Sequence, residues 1–434
     1  MSTPRVMSPE RRQMRLVPSS LDQMLPEDHP ARLVWQYVEG LDLSEFYGTI
    51  KAVEGAPGRP AIDPRLLLAL WVFATSEGVG SARQLSRLCE RDLAYMWLCG
   101  GVGVNYHALA DFRSLNAERL EKVLVRHVAV LTSTGVVQLK RVVQDGVRVR
   151  ASAGSASFRR RARLEDFERE AEAQLAALKQ ELHEDPEASE RRAVARRKRV
   201  AEQSLARVQA ALARARELEK KREQTPSHKS KKDKERGKRK VAEGEVRAST
   251  TDPDAHRMKM ADGGYRPAYN EQVAIDPESG FIVATHTTNE GLDGAMLPPV
   301  VERLARDHGV VPEAMIADGG FVTKAAIDAL HARGVRVYAP VDKPRSARDP
   351  YQRLRGDSEG VGAWRERMGT EEGRALYALR PIVEWVFARY RNWNVRLLAV
   401  RGMARVRSSF LLNAIAHNIL HDISRLRNTS TFAV

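Results

Sequence analysis

The sequence predicts an α/β core preceded by an all-α region and interrupted by an inserted helical hairpin. Three observations predict it. Helix signals fill residues 1 to about 140, apolar strand-like runs alternate with helical ones from residue 245 onward, and the composition between turns strongly charged. At 434 residues the chain can hold two or three domains and at least one large core.

The N-terminal region is read as helices. Asp63-Pro64 combines an N-cap acid with proline at the first helical position and leads into Leu66-Leu67-Leu68-Ala69-Leu70-Trp71-Val72. Glu77-Gly78-Val79-Gly80 breaks that run, and Ser81 can cap a second helix carrying Leu85, Leu88 and Cys89 on one face. A further helix is expected over Ala108 to Leu115. Helix, glycine turn, helix is the pattern of DNA-binding bundles, and equally of packing or dimerisation domains.

A strand follows over Val142 to Val149. Residues 143, 145, 147 and 149 share a face, so Asp145 is the one acid in an apolar row. A carboxylate there is costly unless it is paired, protonated or metal-bound, although a strand-end acid capping a turn at Gly146 would also explain it. From Arg159 to Lys240 there are 26 Lys and Arg against 16 Asp and Glu. Leu164, Phe167, Ala171, Leu175, Leu178 and Leu182 recur three and four apart. Ala201, Leu205, Val208, Leu212 and Ala215 repeat the pattern, with His183-Glu184-Asp185-Pro186 between. This predicts an antiparallel helical hairpin ending in a solvated basic tail, Lys229 to Lys240, which is either a phosphate-contacting arm or a solubilising linker.

Beyond it, Asn270–Ile275 and Phe281–His286 flank Asp276-Pro277-Glu278-Ser279-Gly280, a strong strand–turn–strand signal. Helix over Leu297–His308, a strand from Ala314 ending at Asp318-Gly319-Gly320, helix over Thr323–Ala332 and strand over Val335–Ala339 complete the series. With the basic hairpin treated as an insertion after the first strand, this is the order of a ribonuclease H-like α/β domain. The expected division is 1–140 as a helical DNA-binding or dimerisation domain, 141–158 with 245–434 as the catalytic domain, and 159–244 as the inserted hairpin and linker.

The formal net charge of +15 points to a polyanionic partner, nucleic acid first. The longest apolar stretch, Leu66 to Ala74, is too short to span a bilayer, so no membrane partner is expected. The N-terminus lacks a charged-then-apolar signal pattern, and a cytoplasmic location is expected. Cys89 and Cys99 are too few for a disulfide scaffold and are expected as buried thiols. His256 and His286 have no partner at metal-ligand spacing. Asp252, Asp254 and Asp262 are expected as turn formers; Glu290 and Asp293 either approach the site or cap the helix at Leu297.

Near the C-terminus, Tyr377, Arg380, Glu384 and Arg391 stand three, four and seven apart, which on one helix gives them one face. A lone acid among basic and aromatic groups suits a site that holds a metal ion and grips phosphates; an amphipathic helix with Glu384 in surface ion pairs fits the same spacing. In the predicted topology the first and fourth strands are neighbours, bringing Asp145 and Asp318 together, and a helix packed across them can deliver Glu384. Three such acids repel unless divalent cations compensate them, and Mg²⁺ is the natural hard ion for them.

At these residues the chain resembles DDE-type insertion-sequence transposases. Tyr377, Arg380, Glu384 and Arg391 match the family's Tyr-(2)-Arg-(3)-Glu-(6)-Lys motif, with Arg391 for the usual lysine. Asp145-Gly146-Val147-Arg148-Val149 and Ala317-Asp318-Gly319-Gly320-Phe321 resemble the segments bearing its two aspartates. Tyr269-Asn270-Glu271-Gln272 and Arg401-Gly402 look like further landmarks. Leu16-Val-Pro-Ser, Glu27-Asp28-His29-Pro30, Asp63-Pro64 and Phe112-Arg113 resemble the helical domain that precedes the core in one bacterial branch. Asn105-Tyr106-His107 departs from the usual Pro-Asp-His.

The resemblance implies that Asp145, Asp318 and Glu384 are catalytic and hold Mg²⁺, two ions in all, with Mn²⁺ as a substitute. It implies that Tyr377, Arg380 and Arg391 contact DNA phosphates. The implied partners are terminal inverted repeats and target DNA, with a homodimer when assembled on them. The implied reaction is strand cleavage at the element ends followed by strand transfer. A catalytically silent transposase-derived DNA-binding protein and a ribonuclease H-like nuclease are the alternatives; intact acids favour an enzyme over the silent binder, and only strand transfer separates a transposase from a nuclease.

Overall fold

The computed structural model describes residues 20–52, 60–183, 188–224, 246–342 and 349–431. Helices come first: α1 (Leu21–Met24), α2 (Pro30–Glu39), α3 (Ser44–Tyr47), α4 (Pro64–Ser76), α5 (Ala82–Arg91), α6 (Leu93–Cys99), α7 (Tyr106–Leu115) and α8 (Ala117–Ser133). Their starts follow local chemistry. Asp63 accepts from the Arg65 N–H with Pro64 as first helical residue, and Ser81 accepts from the Gln84 N–H. The helix expected from Ala108 begins two residues earlier, because Asn105 caps it by accepting from the Ala108 N–H. α4 is apolar all round and buried from Leu66 to Thr75, the centre of the helical layer. Cys89 and Cys99 are buried free thiols. The Leu16-Val-Pro-Ser segment lies outside the described residues.

β1 (Arg141–Arg150) opens the sheet, and β2 (Phe158–Arg160), α9 (Arg161–His183), α10 (Ala188–Gln224) and β3 (Arg247–Ser249) follow it. α9 and α10 run antiparallel, since Arg161 pairs with Glu219 and Arg197 with Glu181. Leu164 packs with Val208, Leu212 and Ala215, and Leu178 with Val194 and Ala201. β2 pairs antiparallel with β3 and closes the base of the hairpin. Strands of three residues carry no readable periodicity, so the sequence does not announce them. Glu184-Asp185-Pro186 and the tail Lys229–Lys240 lie outside the described residues.

The rest comprises β4 (His256–Lys259), β5 (Tyr265–Ile275), β6 (Ile282–Thr288), α11 (Leu297–His308), β7 (Ala314–Ala317), α12 (Lys324–His331), β8 (Arg336–Tyr338), α13 (Glu359–Gly369), α14 (Glu371–Tyr377), α15 (Ile382–Asn392) and α16 (Met403–Thr431). The sheet order is β4–β5–β1–β7–β8, with β6 beside the second half of β5. β1–β7 and β7–β8 are parallel; the other pairs are antiparallel. This is a ribonuclease H-like core behind a helical N-terminal region. α16 packs against α4, α7, α8 and β6, joining helical layer and sheet in one apolar core that runs from Leu68 through Val142 and Phe281 to Ile415. Among the described residues no helix is long and apolar enough to cross a membrane.

Asp252 and Asp254 sit in the turn before β4, but their carboxylates do more than form it. Asp252 accepts from the buried Tyr269 hydroxyl at 2.7 Å and from the Gly402 N–H, and Asp254 accepts from the Met403 N–H. They thereby anchor the start of α16 to the sheet.

Candidate active site

β1 presents Asp145 on the face of Val143 and Val147, opposite Val273 of β5. Its Oδ1 accepts from the Gly146 N–H at 2.7 Å, and its Oδ2 accepts from Arg380 Nη2 at 2.9 Å. Burial pushes the Asp145 carboxyl above its ordinary range. The Gly146 N–H and Arg380 oppose that shift, while the charges of Asp318 and Asp293 add to it.

β7 ends at Ala317, which is in register with Gln144, so Asp318 leaves the sheet beside Asp145. Its Oδ2 lies 3.7 Å from the same Arg380 Nη2. Glu384, in the first turn of α15, accepts from Arg380 Nη1 at 3.1 Å. Three carboxylates from three separate elements therefore meet on one guanidinium, which neutralises charges that would otherwise repel. The Arg380 side chain is 20% exposed and its Nε has no partner among the described residues.

The segment from Tyr377 to Arg391 is not one helix, contrary to the spacing argument. α14 ends at Tyr377 and α15 begins at Ile382. Between them the chain closes through tighter bonds, Arg380 N–H to Tyr377 O, Val383 N–H to Arg380 O and Glu384 N–H to Pro381 O. Pro381 is the cause: it has no N–H to give and disfavours α geometry in the residue before it. Arg380 and Glu384 still meet across the break. Tyr377 is half-buried beside them; burial raises its hydroxyl's pKa, Asp318, Asp145 and Glu384 add to the rise, and Arg380 opposes it. Arg391 is exposed near the far end of α15 and, among the described residues, forms no ion pair with the three acids.

The opposite face of β1 carries a support that the sequence shows only as isolated polar residues. A Cβ on Gly146 would lie 2.5 Å from Gln272 Nε2, 2.8 Å from Asn270 Oδ1 and 2.9 Å from Asp293 Oδ1. The glycine beside Asp145 thus leaves room for these three side chains, which a Cβ would push aside. Asp293 does not cap α11, whose N-cap Met296 makes no side-chain bond. Instead it accepts from Asn270 at 2.7 Å and Gln272 at 2.9 Å, and pairs with Arg148 at 2.9 Å. Gln144 donates to Gln272 and to the Met296 carbonyl. The available signal was the period-two placement of Asn270 and Gln272 on one face of the strand.

The acid trio is the hard-oxygen donor set that suits Mg²⁺, and Arg380 supplies the positive charge at its centre. Among the described residues, no group of three or more His, Cys, Asp or Glu is close enough to hold a metal ion in this arrangement.

Two family models match the chain. Residues 19–116 match the Transposase domain (DUF772), and residues 244–419 match the Transposase DDE domain. Asp318 and Glu384 fall inside the second match, while Asp145 falls between the two, ahead of the inserted hairpin. No curated protein and no solved structure matches the chain. With a helical transposase domain ahead of a mixed sheet that carries the DDE domain, the chain belongs to the DDE-type transposase family.

Proposed function

We propose that the chain is an active transposase that cleaves DNA at the terminal inverted repeats of its element and joins the freed ends to target DNA. The observation that carries this reading is the meeting of Asp145, Asp318 and Glu384 on Arg380, in a chain matching the transposase DDE domain. Asp145, Asp318 and Glu384 would hold Mg²⁺, or Mn²⁺ in its place, as a pair of ions. The ions would supply activation of the attacking hydroxyl and stabilisation of the leaving oxygen. Arg380 would then release the carboxylates and turn its planar fork to a backbone phosphate. Tyr377 stands beside it as a hydroxyl donor, and Arg391 would hold a phosphate farther along the duplex.

In this reading residues 1–140 bind DNA or dimerise, 141–158 with 245–434 catalyse, and the basic hairpin of 159–244 tracks the backbone. The assembled form is a homodimer on DNA, acting in the cytoplasm. Asp145→Asn and Glu384→Gln are expected to abolish Mg²⁺-dependent cleavage of end-bearing duplexes while leaving DNA affinity within about threefold. Full cleavage by either variant would refute the assignment.

A further inference from the structure

Arg113 of α7 is 7% exposed, yet among the described residues no carboxylate pairs with it. Its Nη1 donates to the Gly80 carbonyl and its guanidinium lies over Trp71, with Cζ 4.5 Å from the ring centroid. Its Nε has no hydrogen-bond partner among the described residues. A buried cation without an anion is expensive, because neither a carbonyl nor an aromatic face replaces a full countercharge.

The side chain borders a cavity of about 60 Å³, whose lining includes Trp71, Thr75, Trp393, Ser409 and Asn413 and contains no Asp or Glu. Ser409 and Asn413 are four apart on α16 and so share a face. No hydrogen bond engages either side chain among the described residues, although Asn413 is only 9% exposed. The buried Arg113, a hydroxyl and an amide therefore line one small space whose described walls carry no carboxylate. The space holds a few water molecules, enough for one compact anion. Its wall reaches solvent at Leu397, which is 58% exposed, so the anion can arrive free or attached to a longer chain.

We infer that this cavity is an anion site taking a single tetrahedral oxyanion of the phosphate class, held by Arg113, Ser409 and Asn413. It bridges α4 and α7 to the segment after α15 and to α16, so an occupant fastens the helical region to the core. The phosphate comes either from solution or from a DNA backbone.

The test titrates the full chain with inorganic phosphate at constant ionic strength, reading heat and the fluorescence of Trp71 and Trp393, with chloride as control. Saturable binding is expected. The pair Ser409→Ala with Asn413→Leu should weaken it by about tenfold or more, since hydrogen bonds to a charged group are lost. Arg113→Gln should abolish it, and the paired variant decides if Arg113→Gln fails to fold. Absence of saturable binding by the unmodified chain, or equal binding by a folded paired variant, overturns the site. Duplex DNA supplies the second arm. A salt slope of log K shallower by about one in the paired variant, with phosphate competing against DNA, assigns the site to a backbone phosphate. An unchanged slope with phosphate binding lost assigns it to the free anion.

Discussion

Glu271 sits in the middle of β5 with no exposed surface, on the face that carries Asp145. Thr287 donates to its Oε2 at 2.6 Å, but its Oε1 has no partner among the described residues. Burial pushes its carboxyl up to about 8, and hydrogen bonds from Thr287 and Thr285 with the charge of Arg407 only partly oppose this. The unfolded chain releases this proton near 4.5, so between there and about 8 the native state holds a proton that the unfolded state has lost. The contribution is full below the unfolded value and is lost as pH rises through the folded one. Glu271→Gln is therefore expected to flatten the pH dependence of stability across that window and to exceed the native chain at its alkaline end by about 1–3 kcal/mol. Urea unfolding at several pH values measures it; parallel curves for the two proteins would contradict it. Gly146 makes the complementary point about legibility. Its neighbour Asp145 stood out as an acid in an apolar row, whereas the crowding by Gln272, Asn270 and Asp293 around the glycine is a contact between strands and a loop, invisible along the chain.

At the scale of elements, Pro381 decides how the C-terminal motif is delivered. Read as one continuous helix, Tyr377, Arg380, Glu384 and Arg391 form a single stripe. The break instead turns Arg380 toward Asp145 and Asp318 and leaves Glu384 at the start of α15. Pro381 has φ −56°, already the angle its ring requires. Pro381→Ala should therefore lower stability by about 0.5–1 kcal/mol, chiefly by returning freedom to the unfolded chain, as chemical denaturation would record. An increase in stability would show that the break is strained rather than favoured. Elsewhere capping side chains made some boundaries legible, as at Asp63, Ser81 and Thr323, although the cap at Asn105 was missed. They were not legible at β2, β3 and β4, which exist because a neighbour offers an unpaired edge.

Across the whole molecule, the inserted hairpin carries its own apolar packing and meets the rest through contacts such as the Lys221–Glu290 pair. The apolar clusters around Leu164 and Leu178 are separate from the main core, and β2 and β3 hold the two ends of the insertion side by side. Arg160 faces Arg247 across that pair, so a two-residue turn can join them. Replacing residues 161–246 in this way should leave the melting temperature of the remaining protein within about 5 °C. The same deletion should weaken DNA binding and make it less steeply dependent on salt, because many of the basic side chains lie in the insertion. An unchanged salt slope would show that the insertion does not touch the duplex. Loss of cooperative unfolding would show that the core depends on it.

The sequence by itself determined the helical character of the first part, the longer core strands and helices, the helical hairpin that interrupts them, and the three acids worth watching. Each depends on local periodicity, capping chemistry or a charge where an apolar residue belongs, and those signals lie within a few neighbours. Only the tertiary structure decided that one arginine collects the three carboxylates and that Asp293 reaches back to β1. It also decided that Arg113 is buried beside Ser409 and Asn413 with no carboxylate among the described residues to pair with it. Such facts arise largely from residues tens to hundreds of positions apart, and their energies depend on a local dielectric that only the folded chain creates.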